Sequence, residues 1–360
     1  MNLTKELLHA LSREYLNSYY SLNSYIGCTT NCAYCFLAPL GIVPARPVKA
    51  ISESALVAEA LADPLFERGR TVLSLNNRTD PFLNGEVKES TFRLLDAIAE
   101  AQLKNPVTIT TKGLLTAADC ARLDCYDSLV LILIVTYNGI PLPLQPIDHT
   151  VQEATIRHAA ACRHVRLVHQ CRPILPGVND DERTLRRVFD YASRYCEATI
   201  YQGVRVNPFI RKRLRERRYD YTGRLSAKKI KSRIVDATFQ QFRLEHPSYP
   251  VFDHTSCCLS YLLGQADYNV CYAVADCPTA CPNYAPCHDA APLPPADIAA
   301  RLARIGVPDS WTLADGSLHV PAPLTDAQRS YIHHILYLHC DAAGRRPAFS
   351  ETLMEGGDPA

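Results

Sequence analysis

The sequence predicts an α/β protein built around a partial (β/α)6 barrel of the TIM type, and three observations support this fold class. Between residues 23 and 210, short β-rich runs alternate with amphipathic runs, a pattern typical of a parallel sheet covered by helices. The chain has 360 residues, which is enough to bury a large core without disulfides. Its longest apolar stretch, Leu129–Val135, has the length of a strand and is too short to span a membrane.

The elements of the barrel can be assigned in order along the chain. Runs rich in β-branched or aromatic residues are assigned as strands, and runs with apolar residues at helical spacing are assigned as helices. Active sites of such barrels lie at the C-terminal ends of the strands, so we expect the functional residues there. The predicted strands are Ser24–Gly27, Thr71–Asn76, Val107–Thr111, Ser128–Thr136, Val165–Gln170 and Ala198–Val206, and the predicted helices are Glu53–Leu65, Lys88–Gln102, Ala117–Leu123, Val151–Cys162 and Asp181–Ser193.

The barrel (23–210) is expected to be one of five units. Residues 1–22 are expected to form a helix, and they lack the apolar core of a secretory signal, which predicts a cytoplasmic protein. After the barrel we expect a basic helical segment (211–256), an auxiliary cluster-binding segment (257–290) and a small C-terminal α+β unit with a loosely ordered end (291–360). Within the last unit we expect a helix at Ile298–Ile305, a hairpin-like stretch at Trp311–Val320 and a helix at Asp326–His339.

Fifteen cysteines are the most unusual feature of the composition. In a reducing compartment, clustered thiols are more typical of metal sites or catalysis than of disulfides. With 47% hydrophobic and 21% charged residues, the composition excludes a disordered or fibrous chain. Nine cysteines fall into two groups, and the other six are expected to be ordinary buried small residues: Cys120, Cys125, Cys162, Cys171, Cys196 and Cys340.

The first group has the spacing Cys-x3-Cys-x2-Cys, at Cys28, Cys32 and Cys35, directly after a predicted strand. Three thiolates in one loop can hold three irons of a [4Fe–4S] cluster and leave the fourth iron open to another ligand. A structural zinc site is the alternative, but zinc normally takes four protein ligands, and no fourth one lies nearby in the sequence. The pattern therefore favours an iron–sulfur cluster with an open position.

This loop resembles the signature of the radical S-adenosylmethionine (radical SAM) superfamily, and residues 23–206 resemble its spore photoproduct lyase branch. Asn77–Phe82 resembles that branch's TDP-type turn, Thr111–Gly113 its Thr-Lys turn with glycine in place of the usual serine, and Gln170–Asp180 its fifth strand and following loop. The resemblance implies a cluster that binds SAM, reductive cleavage of SAM to a 5′-deoxyadenosyl radical, and abstraction of hydrogen from a substrate.

The resemblance also implies which side chains hold SAM. The Lys112 ammonium is expected to pair with the carboxylate of SAM, and the turn containing Asp80 is expected near its amino group. Each residue has a structural alternative: Asp80 could begin a turn before Pro81, and Lys112 could be a solvated charge. The residues predicted to bind SAM are Tyr34, Asn77, Thr79, Asp80, Lys112 and Arg172, with Asn76, Thr136 and Tyr137 as weaker candidates.

Six cysteines between residues 257 and 287 form the second group, more than one four-ligand site requires. Interspersed prolines predict that the ligands come from a loop and not from a regular helix. We expect an auxiliary [4Fe–4S] cluster that accepts an electron, anchors the substrate or donates sulfur, with structural zinc as the alternative. Spore photoproduct lyase needs no such cluster, which argues against simple repair of DNA. The expected ligands are Cys271, Cys277, Cys281 and Cys287, one of which Cys257 or Cys258 could replace.

A basic stretch, 211–218, contains six Lys or Arg residues beside Tyr219 and Tyr221. It predicts either a surface that contacts phosphates or a solvated helix. The sequence therefore predicts a radical SAM enzyme that acts on a small phosphorylated or nucleoside-like substrate, with sulfur insertion in natural-product biosynthesis among its outcomes. Flavodoxin or ferredoxin is the expected reducing partner, and no membrane contact is expected. The alternatives are an enzyme that repairs or modifies nucleic acid and a non-catalytic, zinc-stabilised nucleic-acid-binding protein.

Overall fold

The computed structural model describes residues 4–220, 233–273, 277, 279–289, 293–314, 316–343 and 345–346. Its strands up to residue 252 are β1 (Arg13–Leu16), β2 (Tyr19–Leu22), β3 (Tyr25–Ile26), β4 (Val48–Lys49), β5 (Leu73–Leu75), β6 (Val107–Thr111), β7 (Leu131–Thr136), β8 (Val165–Ile174), β9 (Ala198–Gly203) and β10 (Val251–Phe252). The helices of this region are α1 (Lys5–Ser12), α2 (Glu53–Ala62), α3 (Gly85–Glu100), α4 (Ala117–Asp124), α5 (His149–Ala159), α6 (Glu182–Ser193), α7 (Pro208–Glu216) and α8 (Arg233–Glu245).

Eight of these strands form one sheet in the order β1-β2-β5-β6-β7-β8-β9-β10. All neighbouring pairs from β2 to β10 are parallel, and only β1 runs antiparallel to β2. The predicted α/β class is therefore confirmed. Because the strands are parallel, their C-terminal ends meet at one edge of the sheet, where loops can bring distant residues together.

The helix predicted for residues 1–22 is wrong beyond Ser12. Residues 13–22 form the hairpin of β1 and β2, in which Leu16 pairs with Tyr19 across a two-residue turn. The charges at helical spacing were misleading, because the aromatic residues of this segment favour a strand, and Tyr15 and Tyr20 pack edge to face at 5.4 Å. The predicted first strand, Ser24–Gly27, contributes only β3, which pairs with β4 in a separate small sheet.

The segment predicted as basic and helical, 211–256, is only partly helical. It contains the end of α7, all of α8 and the short strand β10, which extends the main sheet beside β9. The sequence does not predict β10, because this strand has only two residues, Val251 and Phe252. Two apolar residues are too few to show the alternation that distinguishes a strand from a loop. Residues 221–232 of this segment, including Tyr221, lie outside the described residues.

The C-terminal part packs against the barrel. Its helix predicted at Asp326–His339 is wrong in its second half, where a π-helical turn, Ile332–Leu336, and a strand follow the helix. Tyr331 and Ile332 belong to the same hydrophobic core as Tyr15 and Tyr20, so tertiary packing decides the conformation here. The elements are α9 (Thr255–Leu263), α10 (Tyr284–His288), α11 (Pro295–Arg304), β11 (Thr312–Ala314), β12 (Ser317–Val320), β13 (Leu324–Thr325), α12 (Asp326–Tyr331), β14 (His339–Ala342) and β15 (Arg345–Arg346).

The two faces of the main sheet are covered differently. On the outer face, β5 to β8 pack against α2 to α6 in the largest hydrophobic core. On the inner face, Ile132, Ile134 and Val168 pack against Cys258 and Leu259 of α9. The start of the cysteine-rich segment therefore fills the concave side of the sheet. In the described part of the chain, no helix is long and apolar enough to cross a membrane.

Candidate active site and second metal site

The first group of cysteines directly follows the predicted first strand, as expected, but that strand is β3, which pairs with β4 outside the main sheet. Gly27 begins the loop with a φ of +108°, which favours glycine, and a Cβ atom there would lie 3.2 Å from the carbonyl oxygen of Arg46. The amide of Cys28 donates to the carbonyl oxygen of Ile42 at 3.2 Å, and the carbonyl oxygen of Cys28 accepts from the amide of Ala45 at 3.0 Å. These bonds fix the position of the first thiol.

Burial acts on the pKa of all three thiols, and the cations Lys112 and Arg213 act on the pKa of Cys35, with Lys112 also acting on that of Cys32. Cys28 and Cys32 are buried, and Cys35 is partly exposed. Burial raises the pKa of all three thiols, that of Cys32 to about 11, whereas the ammonium group of Lys112 acts to lower the pKa of Cys32 and Cys35. Since iron binds the thiolate form, Lys112 favours the form that holds metal.

Among the described residues, the sulfurs of Cys28, Cys32 and Cys35 are spread more widely than the ligands of one zinc ion. Two thiolates on one tetrahedral zinc ion lie about 3.8 Å apart, given a Zn–S bond of about 2.3 Å. The thiols of Cys28, Cys32 and Cys35 interact electrostatically, but among the described residues they do not form a group of three ligand atoms within 4.8 Å of one another. In a [4Fe–4S] cluster each thiolate binds a different iron, so a wider spacing fits.

The basic helix α7 holds this loop from the other side. Nη2 of Arg213 donates hydrogen bonds to Oδ1 of Asn31 at 2.8 Å and to the carbonyl oxygen of Cys32 at 2.9 Å. Nη1 of Arg217 donates to the carbonyl oxygen of Pro143 at 3.1 Å. The sequence predicted that the basic stretch either contacts phosphates or is a solvated helix. Neither prediction includes this arrangement, in which two of its arginines bind main-chain carbonyls of the protein itself.

Asp80 joins the loop after β5 to the end of β6. Its Oδ1 accepts hydrogen bonds from the hydroxyl of Thr111 at 2.6 Å and from the amide of Phe82 at 3.1 Å, and its Oδ2 accepts from the amide of Lys112 at 2.7 Å. Both carboxylate oxygens therefore bind protein groups. The structural role that the sequence left open for Asp80 is present, and it positions Lys112 beside the cysteines.

The glycine that replaces the usual serine of the Thr-Lys turn has a packing reason. A Cβ atom on Gly113 would lie 2.8 Å from the carbonyl carbon of Phe82 and 2.9 Å from the amide nitrogen of Leu83. Contacts this short with main-chain atoms force a shift of the backbone. In this chain the turn after Asp80 and the turn after β6 are packed too closely for any side chain at position 113.

The residues of the TDP-type turn are tied to the N-terminal hairpin and its neighbour. Oδ1 of Asn76 accepts from the amide of Ser24 at 2.9 Å, and Nδ2 of Asn77 donates to Oγ of Ser21 at 2.6 Å. Thr79 is partly exposed, and its amide donates to the carbonyl oxygen of Asn76 at 3.2 Å. This turn therefore lies where β2 and β5 end, as the resemblance implies.

Two further candidates, Tyr34 and Arg172, lie near the ends of the strands. Tyr34 is buried, and its hydroxyl donates to Oε1 of Gln145. Burial lowers the pKa of Arg172, which lies near Tyr19, and among the described residues its guanidinium makes no hydrogen bond or ion pair. Tyr137, by contrast, belongs to the outer core and donates its hydroxyl proton to Glu153 at 2.6 Å. The weaker candidate Tyr137 therefore lies on the wrong side of the sheet.

The second group of cysteines is not carried by a loop alone, which corrects the expectation from the prolines. Cys257 and Cys258 lie on α9, Cys271 begins a 3-10 turn, and Cys287 lies on the short helix α10. The prolines restrict the chain only from residue 278 onward, and α9 precedes them. The short helix α10 accommodates Pro286 in its first turn, where the missing N–H has no partner within the helix. Pro278 lies outside the described residues.

Hydrogen bonds bring the three parts of this segment together. The amide of Asp267 donates to the sulfur of Cys287 at 3.3 Å, while its Oδ2 accepts from the amide of Cys271 at 2.9 Å. Nδ2 of Asn283 donates to the carbonyl oxygen of Cys257 at 2.6 Å. The backbone around three of the cysteines is thus fixed without any metal.

Only one of the two adjacent cysteines on α9 faces the group. Neighbouring residues on a helix point about 100° apart. Cys258 is fully buried in the inner core, and burial raises the pKa of its thiol. The sulfurs of Cys257 and Cys271 and a ring nitrogen of His254 all lie within 4.8 Å of one another. Burial, followed by the charges of Cys281 and Cys271, raises the pKa of Cys277, so these thiols also lie nearby.

Comparison with known proteins gives matches only at the level of structure. No family model matches the chain, and no curated protein gives a significant match. A structure of spore photoproduct lyase with bound AdoMet and dinucleoside spore photoproduct aligns with a TM-score of 0.51 and 16% identity, over 64% of this chain and 75% of that chain. A second, complexed with dinucleoside spore photoproduct, gives 0.51 and 15% over the same shares. Methylornithine synthase aligns with a TM-score of 0.41 and 14% identity, over 70% and 75%.

The fold is that of the radical SAM enzymes, in the form found in spore photoproduct lyase. The barrel of the radical SAM type, predicted from the alternation of strands and helices and from the resemblance of the cysteine loop, is therefore confirmed. Within it, sequence reasoning missed the residues that support the site, because no local pattern marks them. Arg213 and Gln145 are distant in sequence from the cysteine loop, and Arg78, 1% exposed in an ion pair with Glu14, depends on an unforeseen strand. Cys125, expected to be buried, is exposed.

Proposed function

We propose that the chain is a radical SAM enzyme whose [4Fe–4S] cluster is held by Cys28, Cys32 and Cys35. The observation that carries the proposal is the loop of three thiols beside the ammonium group of Lys112. When bound, the cluster would supply the electron that cleaves SAM to a 5′-deoxyadenosyl radical. The structures of spore photoproduct lyase, one of which holds AdoMet, support the same cofactor here.

The protein residues would hold SAM and keep the loop in place. Lys112, positioned through its amide by Asp80, would bind the carboxylate of SAM. Tyr34, together with Asn77 and Thr79 of the turn after β5, would contact the rest of the cofactor. Arg213 would keep the main chain at Cys32 in the conformation that directs the thiol towards the cluster.

The substrate we propose is small and carries an anionic or nucleoside-like group. Arg172, which the sequence assigned to SAM, supports the anionic group instead, because its side chain is partly buried near Tyr19 and makes no ion pair among the described residues. A likeness to structures with bound dinucleoside supports the nucleoside-like part. Polymeric nucleic acid is less favoured, because Arg213 and Arg217 bind main-chain carbonyls.

The cysteine-rich segment would carry the second centre, for which the sequence left two assignments open. The mutual influence of Cys271, Cys277 and Cys281 supports an auxiliary [4Fe–4S] cluster that accepts an electron or donates sulfur. The close group of His254, Cys257 and Cys271 supports zinc instead.

Anaerobic reconstitution tests the proposal. We expect about four irons per chain at the first site and about eight if the auxiliary cluster forms. The electron paramagnetic resonance signal of the reduced protein should change when SAM is added, and Cys32→Ala should lose this change while Cys125→Ala keeps it. Zinc without iron in the wild-type protein would contradict the proposal.

A further inference from the structure

The strongest feature outside the SAM site is the group formed by His254, Cys257 and Cys271. One nitrogen and two sulfurs converge within 4.8 Å of one another. On a tetrahedral zinc ion, with bonds of about 2.0 to 2.3 Å, such ligands lie within about 3.8 Å. The three atoms are thus close to the arrangement in which all of them reach one metal ion.

The surrounding chain fixes two of these ligands before any metal binds. Asn283 holds the carbonyl oxygen of Cys257 at 2.6 Å, and Asp267 holds the amide of Cys271 at 2.9 Å. Asp267 is 1% exposed, so it places a negative charge beside the thiols in a buried setting. A cation bound there would compensate this charge.

The histidine has the carboxylate partner that is typical of metal ligands. Nδ1 of His254 lies 2.6 Å from Oδ1 of Asp253. A carboxylate on one ring nitrogen fixes the tautomer and orients the other nitrogen towards a metal. The contact with Asp253 thus orients the ring, one of whose nitrogens lies within 4.8 Å of both sulfurs.

We propose that His254, Cys257 and Cys271 together bind a single thiophilic divalent cation, with zinc as the expected ion. Two thiolates and one imidazole form the donor set that suits zinc. The proposal goes beyond the SAM chemistry and does not depend on it. The proposal places one ligand of the second centre, Cys257, on α9 and assigns Cys271 to the same ion. The fourth ligand of this ion could then come from Cys277, Cys281 or Cys287, and these three thiols could instead bind iron. The proposal also excludes Cys258, whose sulfur lies in the inner core.

The test measures zinc in the full chain with Cys28, Cys32 and Cys35 replaced by alanine, which removes the first cluster and makes the result independent of SAM cleavage. We expect about one zinc per chain, and a loss of at least tenfold in zinc affinity in His254→Ala and in Cys257→Ala, measured by competition with a chelating dye. Cys258→Ala and Cys125→Ala should retain zinc. Asp253→Asn should weaken binding by about 10-fold to 100-fold, since it alters only the partner of the histidine.

A second measurement distinguishes loss of a metal ligand from loss of folding. Cobalt(II) added to the same background should give the absorption of thiolate-to-cobalt charge transfer, and Cys257→Ala should weaken that absorption while its circular dichroism stays unchanged. Undiminished zinc binding in both His254→Ala and Cys257→Ala would overturn the proposal. Recovery of iron and sulfide without zinc would also overturn it, in favour of an auxiliary cluster, and would leave the first site unaffected.

Discussion

Arg213 of the basic helix α7 donates a hydrogen bond to the carbonyl oxygen of Cys32, 2.9 Å away and 181 residues earlier in the chain. The same Nη2 atom also binds Asn31. A basic helix that is separated from the cysteine loop in sequence thus stabilises the conformation of the loop, and the charge of Arg213 lies near Cys35.

Replacing Arg213 should therefore loosen the first cluster. Arg213→Ala removes both hydrogen bonds, and a charged hydrogen bond contributes about 1.5 to 3 kcal/mol, so we expect release of iron to a chelator about 10 times faster or more. The control is Arg215→Ala, which removes an exposed arginine whose partner is Asp220. Equal rates of iron release in the two variants would show that the contact has no role in holding the cluster.

Asp80 is expected to act on SAM through Lys112. Asp80→Ala leaves the amide of Lys112 and the hydroxyl of Thr111 without their acceptor, which should lower the free energy of unfolding by about 1 to 3 kcal/mol. SAM affinity, measured by equilibrium dialysis on the reconstituted protein, should fall in Asp80→Ala and less in Thr111→Val. Thr111→Val keeps the bond between Asp80 and the amide of Lys112, and for this reason its effect should be the smaller one. Unchanged SAM affinity in Asp80→Ala would show that the positioning role is wrong.

Gly113 should not tolerate the serine that the family usually carries. A side chain there meets the main chain at Phe82 within 2.8 Å, and overpacking of this kind typically costs about 1 to 3 kcal/mol. Denaturant unfolding of Gly113→Ala and Gly113→Ser should show this loss. Gly85→Ala is the matched control, because no atom lies within 4 Å of a Cβ there, and it should leave stability unchanged or slightly higher. Full stability of Gly113→Ser would contradict the packing described here.

Acid should destabilise the barrel partly through His169. This histidine is fully buried between Thr199 and the carbonyl oxygen of Tyr137, and burial lowers its pKa to about 4. Between about pH 6.5 and pH 4 the unfolded chain binds a proton that the folded chain does not. The free energy of unfolding therefore decreases as the pH falls, by up to about 1.4 kcal/mol per pH unit from this one group.

Urea unfolding at pH 7 and pH 5 checks this expectation. His169→Gln should be less stable than wild type at pH 7 but should lose less stability on going to pH 5. The exposed His164→Gln should keep the wild-type pH dependence. An unchanged loss of stability in His169→Gln would mean that His169 does not contribute to it.

Much of the fold could be predicted from the sequence because its signals are local. The run Val107–Thr111 is a strand with the predicted bounds, and the alternation of strands and helices predicted the fold that the structural matches confirm. The hairpin at 13–22 could not be found, because its charges have helical spacing and only its pairing with β5 makes it part of the sheet. The ligands of the second site could not be chosen among its six cysteines either. The spacing of the cysteines does not show that α9 directs Cys258 into the core and Cys257 towards Cys271.

Release of 5′-deoxyadenosine is the most direct test of the proposed chemistry. The reconstituted wild-type protein, given SAM and dithionite under anaerobic conditions, should release 5′-deoxyadenosine, and Cys125→Ala should do the same. Cys32→Ala should release none, because it lacks one of the three thiolates that hold the cluster. Release that persists in Cys32→Ala, or no release from wild-type protein that carries its first cluster, would contradict the assignment of Cys28, Cys32 and Cys35 as the SAM-cleaving site.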